Sequence, residues 1–172
     1  VLKPGFTLPP LMFSADEIEA LVLGSRWVAD RGDQRLAEAA RNALAKIAAV
    51  LPPERRHEAD SAALLVGPGE AIAAGDTEVA LIREAIRTEH KLGILYRDGA
   101  GATTGRTIWP FALGFFDRVR VVVAWCELRQ AVRHFRTDRI AQLAPSGERY
   151  PQRRQALLKA WRLQQGIPEP KG

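Results

Sequence analysis

The hydrophobic period of this chain changes at Lys91. Before it, apolar residues recur every three or four positions. After it, they come in short runs broken by Gly, Asp and Pro. A 3.6-residue period puts an apolar stripe on a helix, and a two-residue period puts an apolar face on a strand. The two parts therefore call for different layers, and the fold class expected is α+β, with helices first and antiparallel strands after. The 172 residues suffice for one domain or two small ones.

Residues 1–13 read as an extended, Pro-punctuated linker. Ser14-Ala15-Asp16-Glu17 has the form of a capping box, a hydroxyl acceptor with a Glu three positions on. The helix after it carries Ile18, Leu21, Val22, Ser25, Val28 and Ala29 on one stripe, and Gly32 suits its C-terminus. Leu36, Ala40, Ala43, Leu44, Ile47 and Leu51 define a second helix, ended by Pro52-Pro53. The short join predicts an antiparallel hairpin. Its Ala-rich face allows close helix approach, within the chain or across a dimer, and a homodimer is expected. Residues 54–78 are mixed: a helical turn in ERRHEAD, a strand in ALLVG, a loop in GPGEAIAAGD. Thr77 is placed to cap a third helix, Glu78–His90.

Beyond Lys91 the expected strands are Leu92–Arg97, Gly105–Trp109, Val119–Glu127 and Val132–Thr137, with a turn at Asp98–Gly101 and a break at Pro110. Short strands at this spacing point to a small barrel. An Arg- and Pro-rich segment follows, then a helix within Tyr150–Gln165 and a tail. The resulting division is 1–13 linker, 14–76 helical region, 77–145 barrel with its leading helix, and 146–172 C-terminal helix and tail.

Catalytic signatures are sparse. One Cys, Cys126, excludes an internal disulfide, and its apolar strand context fits a buried structural thiol. His57, His90 and His134 fall on three elements without metal-ligand spacing. Gly67-Pro68-Gly69 and Gly99-Ala100-Gly101 are not followed by the Lys-Ser/Thr of a phosphate loop. Pairs such as Arg83/Glu84 and Arg87/Glu89 read as solvated helix faces. No enzyme, metal or cofactor is expected. No apolar run reaches the roughly 18 residues of a membrane span, and a cytoplasmic protein is expected.

The net charge of +5 permits an anionic partner. Arg106, Arg118, Arg120, Arg129, Arg133, Arg136 and Arg139 face only Asp117, Glu127 and Asp138 over the same stretch, and none of the seven is a Lys. Arginine presents a planar donor fork that suits phosphate or carboxylate. By alternation, His134 and Arg136 share one face of the last strand, while Arg133, Phe135 and Thr137 share the other. Phe135 is expected in the core, as are Phe115 and Phe116. The bland reading of the cluster is a solvated arginine surface.

Several segments resemble a known family. LGILYRD, GRTIWPFAL, VVVAWCELR and FRTDRI, within residues 91–140, are similar to the WYL domain of DeoR/YafY-type bacterial transcription regulators. Residues 5–53 resemble the middle of the same regulators, and VLKPGFTLPP resembles the exit from their winged helix-turn-helix. The resemblance implies a sensor and oligomerisation fragment without its DNA-reading head, so that operator DNA is reached only through that head. It implies an SH3/Sm-like barrel that senses ligands, with nucleotides or single-stranded nucleic acid bound in some members. Arg106 matches the family arginine before the Pro of the second strand, and Arg136 and Arg139 match those of the FR-x-DR-I motif. The Trp-Tyr-Leu tripeptide falls on Arg120-Val121-Val122, so the aromatic pair is missing and an Arg replaces the Trp. The expected ligand-binding set is Arg106, Arg120, His134, Arg136 and Arg139, holding an anion; for Arg139 a structural ion pair with Asp138 is the favoured alternative to ligand contact. The rivals are a barrel that docks a protein and an enzyme on a phosphorylated substrate with His134 as base.

Overall fold

The computed structural model describes residues 13–50, 76–116 and 119–168. The readings made on residues 54–75, on most of the N-terminal linker, on Arg118 and on the last four residues lie outside these. The chain divides into two compact units, 1–68 and 69–172.

The first unit holds α1 (Ala15–Arg31) and α2 (Gln34–Val50). The capping box is formed: Glu17 N–H donates to Ser14 Oγ at 3.3 Å, and Ser14 N–H donates to Glu17 Oε2 at 2.7 Å. Gly32 closes α1 through a bond from its N–H to Val28 O, in extended backbone. Its need for glycine is close approach, since a Cβ there would stand 2.7 Å from the Val28 carbonyl oxygen. Asp33 then starts α2, its Oδ1 accepting from Leu36 N–H at 3.2 Å. Ile18 and Val22 are buried, with Phe13, Leu44 and Ile47 packed against them.

The second unit begins with α3 (Asp76–Thr88), which ends before His90. Glu89 adopts φ 58°, a left-handed turn that leads directly into β1 (His90–Arg97). β2 (Thr103–Phe115), β3 (Arg120–Cys126) and β4 (Ala131–Arg136) follow. A single 3-10 turn, Thr137–Arg139, precedes β5 (Ile140–Arg149), and α4 is Arg154–Gln165.

The sheet is antiparallel and open, in the order β4-β3-β2-β1-β5, and not the closed barrel expected. The reason is where the pairing goes. The 3-10 turn carries the chain from one edge to the other, and β5 pairs with β1, from Tyr96↔Ile140 to His90↔Arg149. β4 pairs with β3 alone, and the two outer strands do not meet. Pro110 does not end β2. The β2–β3 register shifts between Pro110 and Ala112, so the missing N–H falls at a bulge.

Each face of the sheet has its own core. On the α3 side, Ile82 and Ala85 pack with Leu92, Ile94, Ile108, Val122, Cys126 and Phe135. On the α4 side, Phe111, Val123, Tyr150 and Leu157 pack with Trp109 and Trp161. Phe135 is buried as expected, its ring edge-on to Tyr96 at 5.0 Å between centroids. Phe116 is not in the core but 57% exposed, because it follows the last residue of β2. Tyr150 precedes α4 instead of opening it. It lies buried and its hydroxyl donates to Pro110 O at 3.3 Å. Burial pushes its phenol up to about 12.

Candidate functional site

Strand register decides which arginines can meet. Arg106 stands opposite Ile94, and its Nη1 lies 3.9 Å from Cys126 Sγ, which places it on the α3 face. Its Nε donates to Thr104 Oγ1 at 3.1 Å. Arg120 shares that face, opposite Phe115. It is 3% exposed, with its guanidinium carbon 6.0 Å from the Phe115 ring centroid. Arg136 and His134 stand opposite Val121 and Val123, one step out of phase with the Phe135–Val122 pair. They share the α4 face, as alternation predicted, and the His134 ring lies 5.9 Å from that of Trp161. Arg139 sits in the 3-10 turn, its Nη1 3.7 Å from where a Cβ on Gly99 would stand. The five expected residues are therefore spread over both faces and a turn.

Asp138 hydrogen-bonds Arg136, while Arg139 adds only a longer-range attraction to the same carboxyl. Arg136 Nε and Nη2 donate to the two Asp138 oxygens at 3.0 and 2.8 Å. The strand runs straight into the 3-10 turn here, so residues two apart reach each other. This bidentate contact holds the Asp138 carboxyl below the usual range and raises the Arg136 guanidinium further.

A cleft of about 790 Å³ opens along β1, β2 and β5. Gly93 and Leu95, Gly105, Arg106 and Thr107, and Gln142 and Ala144 line it from the three strands, and Glu78 joins from α3. Of the five expected residues, Arg106 is the one that lines it. The room comes from the two glycines. A Cβ at Gly93 would meet one atom, the Ala144 carbonyl oxygen at 3.8 Å, and one at Gly105 would meet only Leu95 Cδ2 at 3.8 Å. Bare backbone inside a strand lets another molecule approach closely. By register Leu95, Thr107 and Gln142 turn their side chains to the face opposite that of Arg106, so the residues that line the cleft belong to both faces of the sheet.

Two polar clusters that the sequence did not reveal are structural. Lys91 Nζ lies 3.0 Å from both Glu127 Oε1 and Glu148 Oε2, and 5.8 Å from the Trp109 ring centroid. Trp109 Nε1 donates to Glu127 Oε1 at 2.7 Å. That bond, then the one from Lys91, keeps the Glu127 carboxyl low, and the two carboxylates keep the Lys91 amine high. Glu89 is not part of a solvated pair with Arg87, which bonds Glu84 instead. Glu89 Oε1 accepts from Arg154 N–H at 3.0 Å and Oε2 from Arg153 Nη1 at 3.3 Å. It caps α4, whose own N-cap residue, Arg153, makes no capping bond with its side chain, and the Arg154 N–H draws its carboxyl below the usual range.

Glu78, Gly93, Gly105 and Gln142 were missed as cleft residues. The signal that was there is an isolated Gly within a strand pattern at 93 and 105. Nothing local marks Gln142, which reaches the cleft only because β5 returns beside β1.

Residues 78–145 match the family model of the WYL domain. A WYL domain is thus present, and the matched segment contains β1 to β4, the first six residues of β5 and the residues that line the cleft. Among solved structures the chain is similar to proteasome accessory factor B/C (PafBC) of Arthrobacter aurescens. The identity is 25% over 82% of this chain and 22% of that one, with a TM-score of 0.44. The chain therefore spans less than a quarter of that protein's length.

Proposed function

We propose that this chain is the ligand-sensing and oligomerisation part of a bacterial DNA-binding transcription regulator, and that the cleft beside Arg106 takes its ligand. The observation that carries the reading is the WYL match over residues 78–145. The ligand is an anion, a nucleotide or a short single-stranded nucleic acid. Arg106 supplies the charge-assisted bond, from the α3 face of the sheet. Arg136, held by Asp138 on the other face, is outside this site. Ligand binding biases the arrangement of the helical region by its differential affinity for two states. The domain acts by binding and not by catalysis, and it works in the cytoplasm.

The test is thermal stability of the chain against nucleotides, cyclic dinucleotides and short single-stranded DNAs, since a ligand of the folded state raises the melting temperature. A shift that disappears in Arg106→Ala supports the cleft. A shift that survives in Arg106→Ala removes it. No shift with any anion favours the protein-docking alternative.

A further inference from the structure

Among the described residues, nothing covers part of the apolar surface of the helical hairpin. α1 turns Ile18 and Val22 toward α2. Beside that stripe runs a second one, Ala20, Leu21, Gly24 and Val28, which with Leu36 and Ala40 of α2 lines a groove of about 280 Å³. Leu21 is 38% exposed. Above Gly24 the groove is open, since among the described residues a Cβ there would meet nothing within 4 Å. A glycine in mid-helix is destabilising relative to Ala, and the hairpin gains no internal packing from this one.

We propose that the groove seats α1 of a second copy of this chain, the two helices crossing antiparallel at Gly24. The heptad spacing of the stripe supplies the argument. Glu17, Gly24 and Arg31 stand seven residues apart on one side of α1, an acid at one end and a base at the other. A two-fold axis at Gly24 sets Glu17 against the partner's Arg31 and Ala20 against the partner's Val28. A parallel pair would set Glu17 against Glu17 and Arg31 against Arg31, like against like. The small residues at the crossing let the backbones approach. Such an interface is isologous, and one surface serves both copies. This deepens the oligomerisation half of the reading above and does not depend on the anion cleft.

The test uses the whole 172-residue chain. Sedimentation velocity should show a dimer, and Gly24→Arg should lose it while its helical circular dichroism stays level and it still melts cooperatively. Mixing Ala20→Cys chains with mass-tagged Val28→Cys chains under mild oxidation should give the mixed disulfide, because the native Cys126 is buried. Glu38→Cys, placed on α2 outside the groove, should give none. A monomeric wild type overturns both this proposal and the dimer reading. A dimer that persists in Gly24→Arg keeps the dimer and removes this surface. A disulfide between two Ala20→Cys chains in place of the mixed one overturns the antiparallel crossing.

Discussion

Arg106 and Arg136 stand on opposite faces of one sheet. Arg106 meets Cys126, which alternates along β3 with Val122, the partner of Phe135. Arg136 is one residue further on and stands opposite Val121. A small anion held by Arg106 is out of reach of Arg136, so substitutions at the two positions should separate. Arg106→Ala should weaken anion binding by on the order of ten- to a hundredfold, the loss of one charge-assisted hydrogen bond of about 1.5–3 kcal/mol. Arg136→Ala should leave affinity unchanged. Isothermal titration with the ligand found by thermal shift checks both, and equal losses would return the site to a surface shared by both arginines.

The glycines of the cleft offer a change that separates binding from folding. Gly105→Val puts a β-branched side chain into open space, where the nearest atom is Leu95 Cδ2 at 3.8 Å from the Cβ. Removing a glycine from a strand interior should raise stability by about 0.5–1 kcal/mol. The new side chain lies on the Leu95 face, opposite Arg106, so binding through Arg106 should be unchanged. Urea unfolding beside the same titration reads the two effects, and a variant that no longer binds would put the ligand on the Leu95 face.

The pattern of what the sequence revealed follows from how local each feature is. The capping box, the Gly32 stop and the alternation of His134, Phe135 and Arg136 are set by neighbours within four residues, and they were legible. β5 was not. Only Ile140 and Leu143 of its ten residues pack against the core, so it carries no strand-like apolar pattern. The cleft was partly legible through Arg106. Its opposition to Arg136 was not, because relative face depends on register across β2, β3 and β4, which no single segment encodes. The closed barrel failed for a related reason: strand spacing counts strands but does not say whether the outer two pair.

Glu89 ties the turn after α3 to the first residues of α4. Its carboxyl is held below the usual range, so its contribution is present above the unfolded pKa of about 4.3 and is lost as pH falls through the folded value. Glu89→Ala should melt earlier than wild type at neutral pH, and the gap should close as the solution is acidified through that range. Thermal melts followed by circular dichroism across acid pH test this. A gap independent of pH would mean that packing, and not the charge, is what Glu89 supplies.

Tyr150 should titrate late. The chain has two tyrosines, so Tyr96→Phe leaves Tyr150 alone to be read. Its folded pKa of about 12 lies above the unfolded value of about 10. The stability it contributes is complete below the unfolded value and is lost as pH rises through the folded one. Phenolate absorbance in Tyr96→Phe should rise near pH 12, close to unfolding, and a rise near 10 in the folded protein would contradict its burial.

The bulge at Pro110 resets which way β2 reads. Phe111 and Ala112 both turn toward the α4 core, and from Leu113 onward the strand is back in step with β3. Phe115 thereby lands over Arg120 instead of behind it. One extra residue acts as a frame correction between two messages written on the same strand. Deleting Phe111 would close the bulge and leave Ala112 to Phe115 on the faces they hold now, whereas pairing Phe111 regularly would turn every residue after it to the other face.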